Sequence, residues 1–491
     1  MSLLRRLAGE TAIYGFSYIL SRVLHYVLLT WYLTHVLVPS EYGIYRDLYF
    51  YVAVLVVILT FRMETTYFRY ARENKAAVAT MSMSFLLTIA SVFIMGLWLF
   101  RYDIATFLQY PAMTKHIMLL GTVLFFDVLS SVPFASLRQQ NRPLRFLSLK
   151  LGSILLNIGF VLFFIEVLPG LARPDSFWQR VYTGDKIFYV ILANLLASAL
   201  TFILLLPLIR KHEIQWDFSF LKRMLKFSWP LVIVGFAGVI NQYASIAFQK
   251  NLLGDDLIAN LEEGGKYAAA ASLALMLSLF TTAYNYAAEP FFFAHKDKAE
   301  SRPVYADAAL AYTLIGSIMM LFILAYIDIF QLLLGTNFRD GLEVVPILLV
   351  SFLLLGIYYN ISIWYKLADK TLWGAWIAGT GTIITVVLSF ILITRLGVVG
   401  SAWTALACYF FMVVAAYFTG QKYYAIPYRM WRIFGWIIAA VAIYFLMEWL
   451  RRFTGGHLVL TLMVNTLLIV GYTFMIFVFE KPLIRQLARS K

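Results

Sequence analysis

Charge, cysteine and histidine are all scarce in this chain of 491 residues, and each shortage removes a class of function. Only 13% of residues are charged, about half the share usual in soluble domains, so a fully water-exposed surface is excluded. The single cysteine, Cys408, makes an internal disulfide impossible; a lone thiol in an apolar stretch reads first as small core filler. Six scattered histidines offer no recognisable zinc spacing. No G-x-x-x-x-G-K-[ST] loop occurs, which excludes ATP hydrolysis by that route. Long polar segments are missing too. The longest gap between apolar runs, Pro169 to Lys186, is too short for a soluble domain.

What fills the chain is apolar sequence: 62% hydrophobic residues, with a mean hydropathy of +0.79. A spanning helix needs roughly 20 mainly apolar residues. Stretches of that kind lie near 11–37, 45–66, 77–100, 114–136, 145–168, 187–209, 227–250, 266–293, 304–327, 343–365, 371–393, 398–419, 431–449 and 457–479. The expected fold is therefore an all-α integral membrane protein of about 14 transmembrane helices. The opening MSLLRRLAGE runs into a long apolar segment without a small-residue cleavage site, and reads as a first span.

The net charge of +14 follows topology. With the N-terminus inside, alternate loops carry 26 of the 40 Lys and Arg, and the opposite loops carry 12. That bias predicts both termini in the cytoplasm and attraction to anionic membrane lipids, with no support for nucleic-acid binding.

A faint repeat organises the chain. Glu41-Tyr42-Gly43-Ile44-Tyr45 and Glu263-Gly264-Gly265-Lys266-Tyr267 both read E-x-G-x-Y, each at an outer loop leading into an even-numbered span. Six spans separate them, which predicts two parallel lobes: 1–210 (helices 1–6) and 227–420 (helices 7–12). Helices 13 and 14 with a cytoplasmic tail, 421–491, form an addition. Between the lobes, 211–226 is expected to be a cytoplasmic connector. Phe218, Leu221, Leu225 and Trp229 recur there at helix spacing among basic residues, as in a short amphipathic helix on the inner leaflet.

PSEYGIYRD, METTYFRYA, PFASLRQQNRPLRFLSLKLGSILLN, AAEPFFFAHKDK, LADKTLWGAW and RLGVVGSAWTALACY, in that order and topological placement, resemble the bacterial polysaccharide flippases. These are Wzx-like proteins, the oligosaccharide-lipid branch of the MOP superfamily, and the resemblance covers nearly the whole chain. It implies a MOP/MATE-like fold of two six-helix lobes in the bacterial inner membrane. It also implies alternating-access transfer of a polyprenyl-diphosphate-linked oligosaccharide to the outer leaflet, for O-antigen, capsule or exopolysaccharide assembly. Other polysaccharide-assembly proteins are then plausible partners.

Polar groups at membrane depth are the candidates for mechanism, since a charge at a helix centre costs about 2.5–3.5 kcal/mol on insertion scales. Arg22 lies near the middle of the first span with His25 on the same face; a guanidinium suits a diphosphate, and pairing with a carboxylate is the structural alternative. For His25 a hydrogen-bonded core role competes with a proton relay. Arg62 and Lys150 sit near cytoplasmic span ends, where snorkelling or topology-setting roles compete with anion binding. Asn241, Gln249 and Lys250 supply donors and acceptors suited to sugar hydroxyls, or to bonds between helices. Asp127 and Glu289 are the membrane-embedded carboxylates, able to pair a cation or to bind a coupling H⁺ or Na⁺. No other cofactor is expected. Two further readings stand beside the flippase: a cation-coupled drug or small-molecule exporter on the same fold, and a membrane polysaccharide polymerase or ligase. Short outer loops disfavour the enzyme.

Overall fold

The computed structural model describes residue 24 and residues 30–71, 73–140, 142–209, 214–294, 301–368, 370–455 and 457–489. Among these the chain is all-helical, with no strand. Thirteen helices are long and apolar enough to cross a membrane, from Pro39–Tyr70 to Leu458–Phe479. They coincide with the second to fourteenth apolar stretches; the first lies outside the described residues apart from Leu24 and 30–37. The protein is a multi-pass membrane protein. Large side chains such as Trp98, Trp376 and Phe474 stand exposed on the spans, as expected where lipid is the solvent.

The described residues form two compact units, one within 44–244 and the other within 30–43 and 245–489. In the first, the helices Met63–Tyr70, Lys75–Leu99, Thr114–Gln139 and Phe218–Tyr243 share a core that includes Met63, Tyr67, Val78, Leu86, Val128, Val132, Phe220 and Met224. Side-chain caps start two of these helices. The Asn74 amide oxygen accepts from Ala77 N at 3.0 Å, and the Asp217 carboxylate accepts from Phe220 N at 2.8 Å. Hydrogen bonds from the Ser219 hydroxyl and from Phe220 N–H hold the partly exposed Asp217 carboxyl below the ordinary range.

The expected separate amphipathic helix before the seventh span is not a separate element. Residues 218–226 are the first turns of the Phe218–Tyr243 helix. Phe220, Met224 and Ser228 are its buried face at i, i+4, i+8, whereas Phe218 and Trp229 of the expected apolar stripe are exposed. In lipid, an apolar stripe need not face the protein core, because acyl chains are as apolar as leucine. That helix also clusters with the first unit, not the second.

In the second unit, the glycines of the two E-x-G-x-Y motifs, Gly43 and Gly265, make reciprocal close approaches. A Cβ on Gly43 would stand 1.9 Å from Leu261 O, and one on Gly265 would stand 2.0 Å from Pro39 O. Pro39 and Leu261 each lie two residues before the glutamate of their motif, so the contact maps onto itself when the motifs are exchanged. Only glycine allows backbones this close, the small-residue packing typical of membrane helices. Deeper in the unit, Trp364 Nε1 donates to Ala416 O at 3.0 Å and Tyr312 shares a 2.6 Å hydroxyl contact with Thr281. Cys408 is buried and free, its thiol 3.4 Å from Gly381 O.

Candidate functional site

Three helices of the first unit carry polar residues at helical spacing in otherwise apolar sequence. On Thr114–Gln139 they are Asp127, Ser130, Ser131 and Arg138; on Pro143–Leu162, Lys150, Ser153 and Asn157; on Lys186–Ile209, Asn194, Ser198 and Thr201. Offsets of three, four and seven place each set on one helix face. The three faces line a cavity of about 590 Å³, completed by Thr60, Arg62, Glu64 and Thr65 and by the rings of Phe134 and Phe146.

The fourth wall exists because the Pro39–Tyr70 span breaks. Phe61 and Arg62 adopt left-handed φ values of 47° and 54°, and helix resumes at Met63. Neither is glycine, and each left-handed residue costs roughly 1–2 kcal/mol. The break is held from both sides. Thr66 N and Thr66 Oγ1 both approach Arg62 O at 3.2 Å, and Thr66 Oγ1 lies 2.6 Å from Ser228 Oγ. Non-helical backbone at membrane depth is tolerated where it lines a cavity, and here it places Arg62 in the wall.

Three cations, Arg62, Arg138 and Lys150, line the cavity against two carboxylates, Glu64 and Asp127. Arg138 Nη1 donates to Glu64 Oε1 at 2.5 Å, and its guanidinium carbon lies 4.7 Å from the Phe68 ring centroid. Lys150 Nζ lies 4.2 Å from the Phe134 centroid, a cation–π contact inside the cavity. Ser198 Oγ donates to Asp127 Oδ1 at 2.7 Å, and Asn194 Nδ2 donates to Tyr49 OH at 2.6 Å. Asn157 Oδ1 is buried and accepts from no described residue. Cations for an anionic group, hydroxyls and amides for a polyhydroxylated one, and a carboxylate for a cation are therefore all within one space.

Of the residues singled out in the sequence, Arg62, Lys150 and Asp127 come together here. Arg22 and His25 lie outside the described residues, and Glu289 is placed only by its backbone, within Leu257–Ala294. Asn241, Gln249 and Lys250 are not among the lining residues. Asn241 is buried on the Phe218–Tyr243 helix; Gln249 and Lys250 are buried in the second unit, where Gln249 Nε2 donates to Ser401 Oγ at 2.8 Å. Sequence reasoning overlooked Glu64, Arg138, Asn157, Asn194 and Ser198. Their signal was the polar stripe at three- and four-residue spacing along three neighbouring spans.

No protein-family model matches the sequence, and no curated protein matches it. Solved structures do. The lipid II flippase MurJ in its inward closed conformation superposes with a TM-score of 0.73 at 12% identity, covering 96% of this chain and 100% of that one. A multidrug resistance MATE family transporter of the MOP superfamily, inward-facing, gives 0.62 at 14% identity, covering 80% and 92%. A MATE in complex with MaD3S gives 0.60 at 13% identity, covering 84% and 95%. At such identities the likeness is one of fold, and the fold of this chain is the MOP/MATE-like one.

Proposed function

We propose that this chain is a transporter that moves a polyprenyl-diphosphate-linked oligosaccharide from the cytoplasmic to the outer leaflet by alternating access, for assembly of a cell-surface polysaccharide in the bacterial inner membrane. The observation that carries the reading is the cavity of the first unit, where Arg62, Arg138 and Lys150 stand among serines, threonines and asparagines on helices long and apolar enough to cross a membrane. A diphosphate offers delocalised negative charge that guanidinium and ammonium groups bind. The sugar needs donors and acceptors together, which Ser153, Asn157 and Asn194 supply. The fold is consistent with it, being shared with proteins described as a lipid flippase and as transporters. Arg22 and His25 are proposed as further contacts. The distribution of Lys and Arg supports both termini lying in the cytoplasm.

One observation favours a second reading, a cation-coupled exporter: Asp127 is a carboxylate within the same cavity. A single assay separates the two. Proteoliposomes carrying the full chain and a fluorescent polyprenyl-diphosphate oligosaccharide are followed for leaflet exposure in wild type and in Lys150→Met, which keeps the side-chain length and removes the charge. Wild type transfers the lipid, and the variant is slower by about tenfold or more, the loss of roughly 1.4 kcal/mol of interaction, with an unchanged melting profile. Wild-type vesicles that transfer no lipid but expel an organic cation under an ion gradient would establish the exporter instead.

A further inference from the structure

Arg62 does not reach the cavity wall by its own helix alone. Its guanidinium packs against the Phe218–Tyr243 helix at Gly235. A Cβ built there would fall 2.3 Å from Nη2, 2.7 Å from Nε and 2.8 Å from Cζ, so the guanidinium occupies the volume that a Cβ at 235 would take. Ser228, two turns earlier on the same face, holds the helical break through Thr66. The Phe218–Tyr243 helix thus grips the break at two points: a hydroxyl pair under the backbone and a bare Cα under the side chain.

We infer that Gly235 is a positioning residue that seats the Arg62 guanidinium in the cavity wall, where the diphosphate end of the cargo is received. The inference rests on the function proposed above and names the residue that sets the geometry of one of its cations. The atoms in the way are the far end of a flexible side chain. A methyl group at 235 therefore displaces the guanidinium and leaves the helix packing in place, which separates a positioning role from a folding one. Gly238, three residues on, has no atom of a described residue within 4 Å of where its Cβ would be and serves as the matched control.

The test is a double-mutant cycle on the full-length protein: wild type, Gly235→Ala, Arg62→Ala, the two combined, and the control Gly238→Ala alone and combined with Arg62→Ala. The first readout needs no ligand. Alanine is the better helix former, so Gly235→Ala raises the melting temperature in the Arg62→Ala background, where the seat is empty. In the presence of Arg62 it gives no rise or a fall. Gly238→Ala gives a rise in either background. Equal shifts for Gly235→Ala with and without Arg62 would overturn the inference. The second readout is binding of a short-chain prenyl diphosphate. Gly235→Ala weakens it about as much as Arg62→Ala does, and the double variant is no weaker than Arg62→Ala alone. Multiplicative losses, or full affinity in Gly235→Ala, would also overturn it. If wild type binds no prenyl diphosphate while the thermal cycle still shows coupling, the proposed cargo fails and the seat itself stands.

Discussion

Glu64 and Arg138 are the residues that decide how the cavity greets an anion. Their pair is partly open, with side-chain exposures of 44% and 38%, so it contributes little to stability, about 0–1 kcal/mol. Its consequence is for binding: the carboxylate occupies the guanidinium that an incoming phosphate needs. Glu64→Gln is expected to leave the melting temperature nearly unchanged. It is also expected to tighten binding of a short-chain prenyl diphosphate several-fold, because Arg138 no longer has a charged internal partner. Unchanged or weakened binding would show that Glu64 orients Arg138 and does not compete for it. Neither residue was legible as a site residue in the sequence. Glu64 sits two positions after Arg62, a spacing that does not face it on a helix, and its partner lies 74 residues away. Arg138 reads as one more topology-setting cation near a span end, since sequence shows its depth in the membrane but not its side of the helix.

Thirteen of the helices were legible because their signal is length and apolarity, which the bilayer imposes whatever the packing. The break at Phe61–Arg62 was not, because helix breaks are announced by glycine or proline and this one has neither. Tertiary contacts hold it, and they predict its sensitivity. Ser228→Ala removes the hydroxyl 2.6 Å from Thr66 while Thr66 keeps Arg62 O as its acceptor. The expected loss is about 1 kcal/mol, the net contribution of one buried hydrogen bond, read as a small drop in the denaturation midpoint. Transport should fall by more than that loss explains, since the backbone under Arg62 is freed. A transport rate that follows stability alone would reduce the Thr66–Ser228 pair to an ordinary structural contact. The continuity of residues 218–226 with the Phe218–Tyr243 helix was not legible for a related reason: the buried face of that helix carries Phe220, Met224, Ser228 and Gly235, a mixture whose polarity does not mark it as inside.

For the molecule as a whole, the fold is the MOP/MATE-like one and the formal charge of +14 reflects the loops, so under the function proposed above what drives the cycle must be sought among the few charges within the spans. Asp127 is the carboxylate that shares the cavity with Lys150 and accepts a 2.7 Å hydrogen bond from Ser198. A ligand or ion shifts a conformational equilibrium only by its differential affinity for the two states. If Asp127 binds a coupling cation in one state and neutralises Lys150 in another, the gradient acts through that carboxylate. Asp127→Asn keeps the shape and an acceptor for Ser198 while removing the charge. In proteoliposomes under an imposed proton or Na⁺ gradient, wild-type lipid transfer should accelerate with the gradient, and Asp127→Asn should transfer at a rate independent of it. Binding of a short-chain prenyl diphosphate should persist or strengthen in the variant, because one negative charge has left a cavity that receives an anion. A variant that still responds to the gradient would move the coupling site elsewhere, with Glu289 the next carboxylate to substitute. A wild type indifferent to both gradients would leave Asp127 as the internal counter-charge of Lys150. Its substitution should then raise anion affinity without changing any gradient response.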